Sequence, residues 1–168
     1  MNIPGSMGRV FSRLATLAAC VMLLGGLSGC GVMSAAKLSS YIFSEQQLRL
    51  LSIVSSKDVN GGYPVALDLV VITDQKVFDA LSVLRAREWF AGKADYMRQH
   101  QKVLEAMSWE VVPKQEMMNI SMPAFDGSTV GILVFADYLG DRSYRAILKG
   151  QKNVAILLNQ DDFEVVPQ

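Results

Sequence analysis

From Leu48 to Val166 the chain is a succession of short apolar runs, each closed by Gly, Pro, Asn or Asp before it can lengthen. That punctuation favours strands over long helices and restricts the body to a β architecture. The runs are Leu48 to Ser55, Val65 to Thr73, Trp109 to Val112, Met117 to Met122, Val130 to Tyr138, Tyr144 to Leu148, Asn153 to Asn159 and Phe163 to Val166. In Val65 to Thr73, the clearest of them, Val65, Leu67, Leu69 and Val71 share one face by period two. Asp68 falls on the other face, which is therefore expected to be only partly covered. Val130, Ile132, Val134, Ala136 and Tyr138 share a face in the same way, and Gly140-Asp141 turns the chain into a returning arm. Asn60-Gly61-Gly62 with Pro64, and Asp126-Gly127, mark further turns.

One stretch breaks the β pattern. Asp74 is a suitable N-cap, and Val77, Phe78, Leu81 and Leu84 follow as a helical stripe. Trp89, Phe90 and Tyr96 continue a helical or mixed segment to about His100, with Gly92 as a candidate break. About eight short strands with one helical insertion predict a mainly β chain, a β-sandwich.

The N-terminus is an address rather than a fold. Arg9 lies in a start without acids, and Leu14 to Leu27 carries no charge. A basic start, a short apolar run and small residues at its end predict a secretory signal peptide over residues 1–29. The run is shorter than the roughly 20 residues a membrane-spanning helix needs. Leu27-Ser28-Gly29-Cys30 resembles the lipobox of bacterial lipoproteins, in which the cysteine thiol receives a lipid and becomes the first mature residue. Leu17-Ala18-Ala19-Cys20 also fits the box, but cleavage there would leave Leu14 to Ala19 as too short an apolar core. Cys20 is read as part of the discarded signal, and Cys30 as the lipidation site. Gly31 follows Cys30 where inner-membrane retention commonly uses aspartate, so the resemblance implies the outer membrane, periplasmic face. Residues 30–46 are expected to be the lipidated N-terminus and tether, and residues 47–168 the periplasmic β-sandwich domain.

Composition excludes several functions. Sixteen basic and sixteen acidic residues balance over 168, and loss of Arg9 and Arg13 with the signal leaves a mature net charge of −2. Without a basic run there is no electrostatic footprint for nucleic acid. One histidine and two cysteines are too few ligands for a Cys/His zinc site. No cofactor is expected beyond the covalent lipid on Cys30. No GxSxG, P-loop or GxGxxG motif occurs, and no catalytic residue is assigned. His100 stands among Arg98, Gln99, Gln101 and Lys102 and reads as solvated, as do the carboxylates Asp137, Asp141, Asp161, Asp162 and Glu164. Arg85, Arg87, Lys93, Arg98 and Lys102 read as the wet side of a helix whose aromatics are core, the alternative being a membrane-facing or partner-facing surface; Met97, Met107, Met117, Met118 and Met122 read as core filling. What remains is a tethered binding module, with its loops as the expected contact.

The order of elements resembles the outer-membrane lipoprotein family of type VI secretion, the TssJ family. A lipobox precedes a first strand. Asp58-Val59-Asn60-Gly61-Gly62-Tyr63-Pro64 then stands where the family has a polar loop, before the strand Val65-Ala66-Leu67-Asp68-Leu69-Val70-Val71-Ile72. Phe78 and Leu81 match the family's helical segment, Glu110 to Pro113 its E-x-x-P strand end, and Tyr144-Arg145 its aromatic-Arg pair, where Trp is commoner than Tyr. The likeness covers Leu48 to Val166. The loop here is poorer in Asn-Pro than in many members, and the helical insertion is longer.

The resemblance implies a transthyretin-like β-sandwich with an added helix, and a role in anchoring the secretion machine at the outer membrane. It implies as partner the periplasmic domain of the inner-membrane protein TssM, with TssL in the same complex. Carried over by position, the partner loop comprises Ser56, Lys57, Asp58, Val59, Asn60, Gly61, Gly62 and Tyr63. Substitutions at Asp58 or Asn60 are expected to weaken binding more than stability. The alternative is a periplasmic ligand-binding or carrier lipoprotein of an unrelated system, which predicts a deep apolar cavity lined by Trp89, Phe90 and Tyr96.

Overall fold

A computed structural model describes residues 48–124 and 128–168. The signal, Cys30, the tether and the Asp126-Gly127 turn lie outside the described residues. No helix among the described residues is long and apolar enough to cross a membrane.

The described chain runs β1 (Leu50–Ser55), β2 (Val65–Ile72), α1 (Gln75–Leu81), α2 (Ala86–Gln99), β3 (Leu104–Val111), β4 (Glu116–Ser121), β5 (Gly131–Asp137), β6 (Arg145–Leu148), β7 (Asn153–Leu158) and β8 (Phe163–Pro167). Two four-stranded sheets result, ordered β4-β1-β7-β8 and β3-β2-β5-β6. The expected eight-stranded sandwich is thus present. All pairings are antiparallel except β1 with β7, where Leu51, Ile53 and Ser55 lie opposite Val154, Ile156 and Leu158. Leu51, Ile53, Ile156 and Leu158 join Leu67, Leu69, Ile132 and Val134 of the other sheet in one buried cluster. Each such side chain, withdrawn from water, contributes on the order of 1.5–3 kcal/mol to holding the sheets together.

The reverse face of β2 departs from expectation. Asp68 is only 1% exposed, because α1 and α2 cover this sheet's outer side. Cross-strand register aligns Ser108, Asp68, Phe135 and Arg145 in one row, and α2 packs over that row. Trp89 is fully buried, stacked on Phe135 at 5.2 Å between ring centroids and on Tyr96 at 5.8 Å. Its indole Nε1 donates to Asp68 Oδ2 at 2.8 Å, while Lys93 Nζ stands 2.7 Å from the same oxygen and donates to Ser108 Oγ at 2.7 Å. A carboxylate buried in this way needs such partners, since taking a polar group out of water without them is costly.

Three further local expectations are corrected. The helical insertion is two helices, separated at Ser82–Arg85, and Gly92 does not interrupt α2. A Cβ on Gly92 would come within 2.7 Å of the Tyr96 ring, so glycine here admits an aromatic rather than a kink. β3 begins at Leu104, well before Trp109, because its edge position leaves Glu105, Ser108 and Glu110 exposed and dilutes its apolar pattern. Met118 is 55% exposed rather than core, whereas Met97, Met107, Met117 and Met122 pack partly buried against the core. Asp74 caps α1 as expected, accepting from Val77 N–H at 3.0 Å.

The topology gives the sandwich two unlike ends. The connections β1–β2, β3–β4, β5–β6 and β7–β8 all turn at one end, the loop end. Leu48 enters at the other, where Arg49 N–H donates to Lys152 O at 2.6 Å and Met122 N–H to Arg49 O at 2.9 Å. The entry end also holds the β4–β5 and β6–β7 connections and the residues flanking the helical insertion.

Candidate interaction site at the loop end

The turn Val59–Gly62 holds backbone conformations that few side chains accept. Asn60, Gly61 and Gly62 have φ of 51°, 67° and 91°, the left-handed region in which Asn and Gly are favoured. This places the side chain of Asn60 inward, only 5% exposed. Its Oδ1 accepts from Leu139 N–H at 2.8 Å, its Nδ2 donates to Pro64 O at 3.1 Å, and its own N–H donates to Gln160 O at 2.9 Å. One residue therefore ties together the β1–β2, β5–β6 and β7–β8 loops.

Of the eight residues of the expected partner loop, the structure divides two from the rest. Val59 is fully buried and Asn60 nearly so, which makes both of them supports of the loop rather than contact surface. Ser56 is half-buried; its Oγ donates to Asp58 Oδ1 at 2.9 Å and its carbonyl accepts from Lys114 N–H at 3.2 Å. Lys57, Asp58, Gly61, Gly62 and Tyr63 face solvent. The expectation that Asn60 affects binding more than stability is accordingly revised, while Asp58 keeps an exposed position.

Tyr63 is 63% exposed, and beside it Leu139 is 69% exposed. They border an open depression of about 640 Å³ that is also lined by Pro64, Ala66, Glu110 and Asp137. Exposed apolar groups rimmed by polar ones are the usual composition of a protein-contact patch. Leu139 escaped sequence reading, because a lone leucine in a turn gives no periodicity; only its tie to Asn60 brings it beside Tyr63.

The neighbouring loops are held as firmly. Tyr138 and Tyr144 stack at 4.9 Å, and the Tyr138 hydroxyl lies 3.0 Å from both Asn159 O and Asp162 O, to which it can donate. Burial first, and the nearby Asp162 carboxylate next, raise the Tyr138 phenol well above its usual range. Tyr144 has φ of 43°, strained for a bulky residue, and a Cβ on Gly140 would fall 1.9 Å from its hydroxyl. The acidic residues here are solvated, with Asp141 and Asp162 in exposed pairs with Arg85 at 3.2 Å and Arg142 at 3.3 Å.

Other candidates do not assemble. His100 is the C-cap of α2, its N–H donating to Tyr96 O at 2.9 Å. The described residues contain no group of three or more His, Cys, Asp or Glu able to hold a metal. Trp89 fills its site by stacking, and the groove that Tyr96 does line, about 280 Å³ between α1 and α2, excludes Trp89 and Phe90.

No family model and no curated protein sequence matches the chain. Solved structures do. The type VI secretion lipoprotein TssJ1 from Pseudomonas aeruginosa superposes with a TM-score of 0.57 at 19% identity, over 73% of this chain and 97% of its own. Lip from Serratia marcescens, described as a membrane-bound component of the type VI secretion system, gives a TM-score of 0.57 at 12% identity, over 71% and 96%. A structure described as the TssM C-terminal domain of the same kind of system from EAEC gives 0.53 at 15% identity, over 71% and 98%. The fold is therefore TssJ-like, and it accounts for nearly the whole length of each similar chain.

Proposed function

We propose that this chain is the outer-membrane lipoprotein of a type VI secretion system, a non-catalytic anchor for the machine's membrane complex. Acylated Cys30 holds it to the periplasmic face of the outer membrane. The loop end binds the periplasmic domain of TssM, with TssL in the same assembly, through Tyr63, Leu139 and the exposed part of Ser56 to Tyr63. The observation that carries this reading is the match of fold over 97% of a type VI secretion lipoprotein, joined to a Leu-Ser-Gly-Cys box at residues 27–30. The exposed apolar pair at a rigidly tied loop end supports the choice of contact.

The test is co-purification of the acylated protein with the periplasmic TssM domain encoded in the same genome. The expected result is a stable complex that Tyr63→Ala weakens. Absence of association, under conditions where an established pair associates, refutes the assignment. Cys30→Ser is expected to remove the mature domain from the membrane fraction without unfolding it, and continued fractionation with membranes refutes the anchor.

A further inference from the structure

The two ends of the sandwich differ in charge as well as in shape. Arg49, Lys76, Lys102, Lys149 and Lys152 are all exposed and all lie at the entry end, by strand order and register. None of the five forms an ion pair among the described residues. The described acids near it are Glu105, Asp74, Asp79 and Asp95, of which Asp74 caps α1, Asp79 accepts from Gln75 Nε2 and Asp95 pairs with Arg98. The loop end instead carries both signs: Asp58, Glu110, Asp137, Asp141, Asp161 and Asp162 stand among Lys57, Lys114, Arg85, Arg87 and Arg142, with Arg85 paired to Asp141 and Arg142 to Asp162.

The entry end is also where the chain from Cys30 arrives. Between Cys30 and Leu48 lie residues 31–47, which span about 60 Å at full extension and much less as a flexible coil. Any lipid on Cys30 therefore keeps these cations close to a bilayer surface. Solvated lysines gain from an anionic surface only within about a Debye length, near 8–10 Å. A free tether would let the domain tumble. Five cations without an ion pair among the described residues, at the tethered end, instead favour one orientation.

We propose that the entry end rests on anionic phospholipid headgroups, so that the domain stands with its strands along the membrane normal and its loop end pointing away. This inference rests on the acyl-anchor reading of Cys30 and goes beyond it, by assigning the protein's own surface a second, reversible contact with the bilayer. It gives the loop end a fixed outward presentation to a partner arriving from the opposite membrane.

The test uses the acylated mature protein in two kinds of vesicle. One contains phosphatidylethanolamine with phosphatidylglycerol, and the other phosphatidylcholine alone. A fluorophore is placed on Ala124→Cys at the entry end, or on Asp161→Cys at the loop end, and the headgroups carry a quencher. The expected result is strong quenching at position 124 and weak quenching at 161 in anionic vesicles only, relieved by salt. Lys102→Gln, Lys149→Gln and Lys152→Gln should each lower the docked-to-free ratio roughly fivefold at low salt. Quenching that ignores headgroup charge, or that survives the combined substitution, overturns the proposal while leaving the anchor intact. Mass spectrometry of the same preparation reads the lipid on Cys30 separately; an unmodified thiol overturns the anchor and this inference with it.

Discussion

The indole Nε1 of Trp89 donates to the Asp68 carboxylate at 2.8 Å, fastening a helix to a sheet at a buried charge. Lys93 approaches the same oxygen to 2.7 Å while staying 30% exposed. Asp68→Ala would leave an indole N–H without its acceptor beneath α2 and would strip the partner from Lys93. The expected loss is about 2–4 kcal/mol in urea unfolding. Lys93→Met keeps the hydrophobic stem and loses the charge, and should cost about 1 kcal/mol or less beyond the effect on Asp68. A double-mutant cycle would then show strong coupling between positions 68 and 93; additive effects would contradict a shared network.

Asn60 and Tyr63 are three residues apart in sequence and opposite in role. Asn60→Ala removes the acceptor for Leu139 N–H and the donor to Pro64 O, and retains a positive φ that alanine tolerates poorly. A loss of about 2–3 kcal/mol is expected, with weakened binding as a consequence of the loosened loops. Tyr63→Ala should leave the melting temperature within a degree or two and reduce affinity for the proposed TssM partner by about 1–2 kcal/mol. Paired calorimetry and binding titration distinguish the two, and a stability loss at Tyr63 would mean that its ring is a support rather than a contact.

The strands and turns were legible in the sequence, but this division was not. The alternation in Val65 to Ile72 marked its sandwich face, and Asn60-Gly61-Gly62 marked a turn, whose left-handed backbone only the structure shows. Asp68 misled because period two reports which residues share a face, not what lies over it; the helices that cover it follow β2 in the chain and fold back across that face. β3 was truncated because an edge strand exposes alternate residues and loses its apolar signature at Glu105 and Ser108. The inward turn of Asn60, and the pairing of Tyr63 with Leu139, depend on hydrogen bonds across 79 positions, a separation that local composition does not encode.

Gly131 opens β5 directly beneath α1. A Cβ there would lie 2.3 Å from the Phe78 ring, inside any permissible contact. Phe78 is only 8% exposed and belongs to the core cluster, so the ring cannot swing away without opening the interface. Gly131→Ala should therefore cost about 2–3 kcal/mol through overpacking, despite adding a residue with higher strand propensity. Phe78→Leu in the Gly131→Ala background should recover part of that loss. Hydrogen exchange at α1 amides gives the local readout, and unchanged protection there would rule out a displaced helix as the cause.

Tyr138 makes the fold sensitive to strong base. Its phenol is raised above the ordinary value of 10.0 by burial and by Asp162. Below pH 10 the group is protonated in both the folded and unfolded chains, so it adds no pH dependence. Above that pH the unfolded chain releases the proton while the folded chain retains it. The unfolded state then binds fewer protons, and stability falls as pH rises, by at most about 1.4 kcal/mol per unit for this one group. Tyr138→Phe should remove that component. It also removes a hydroxyl that bridges to the β7–β8 loop, at about 1 kcal/mol near neutrality. Urea midpoints measured from pH 8 to 11 should therefore show the variant weaker at neutral pH and converging on the parent protein as base is added. Parallel curves across that range would place the alkaline sensitivity elsewhere.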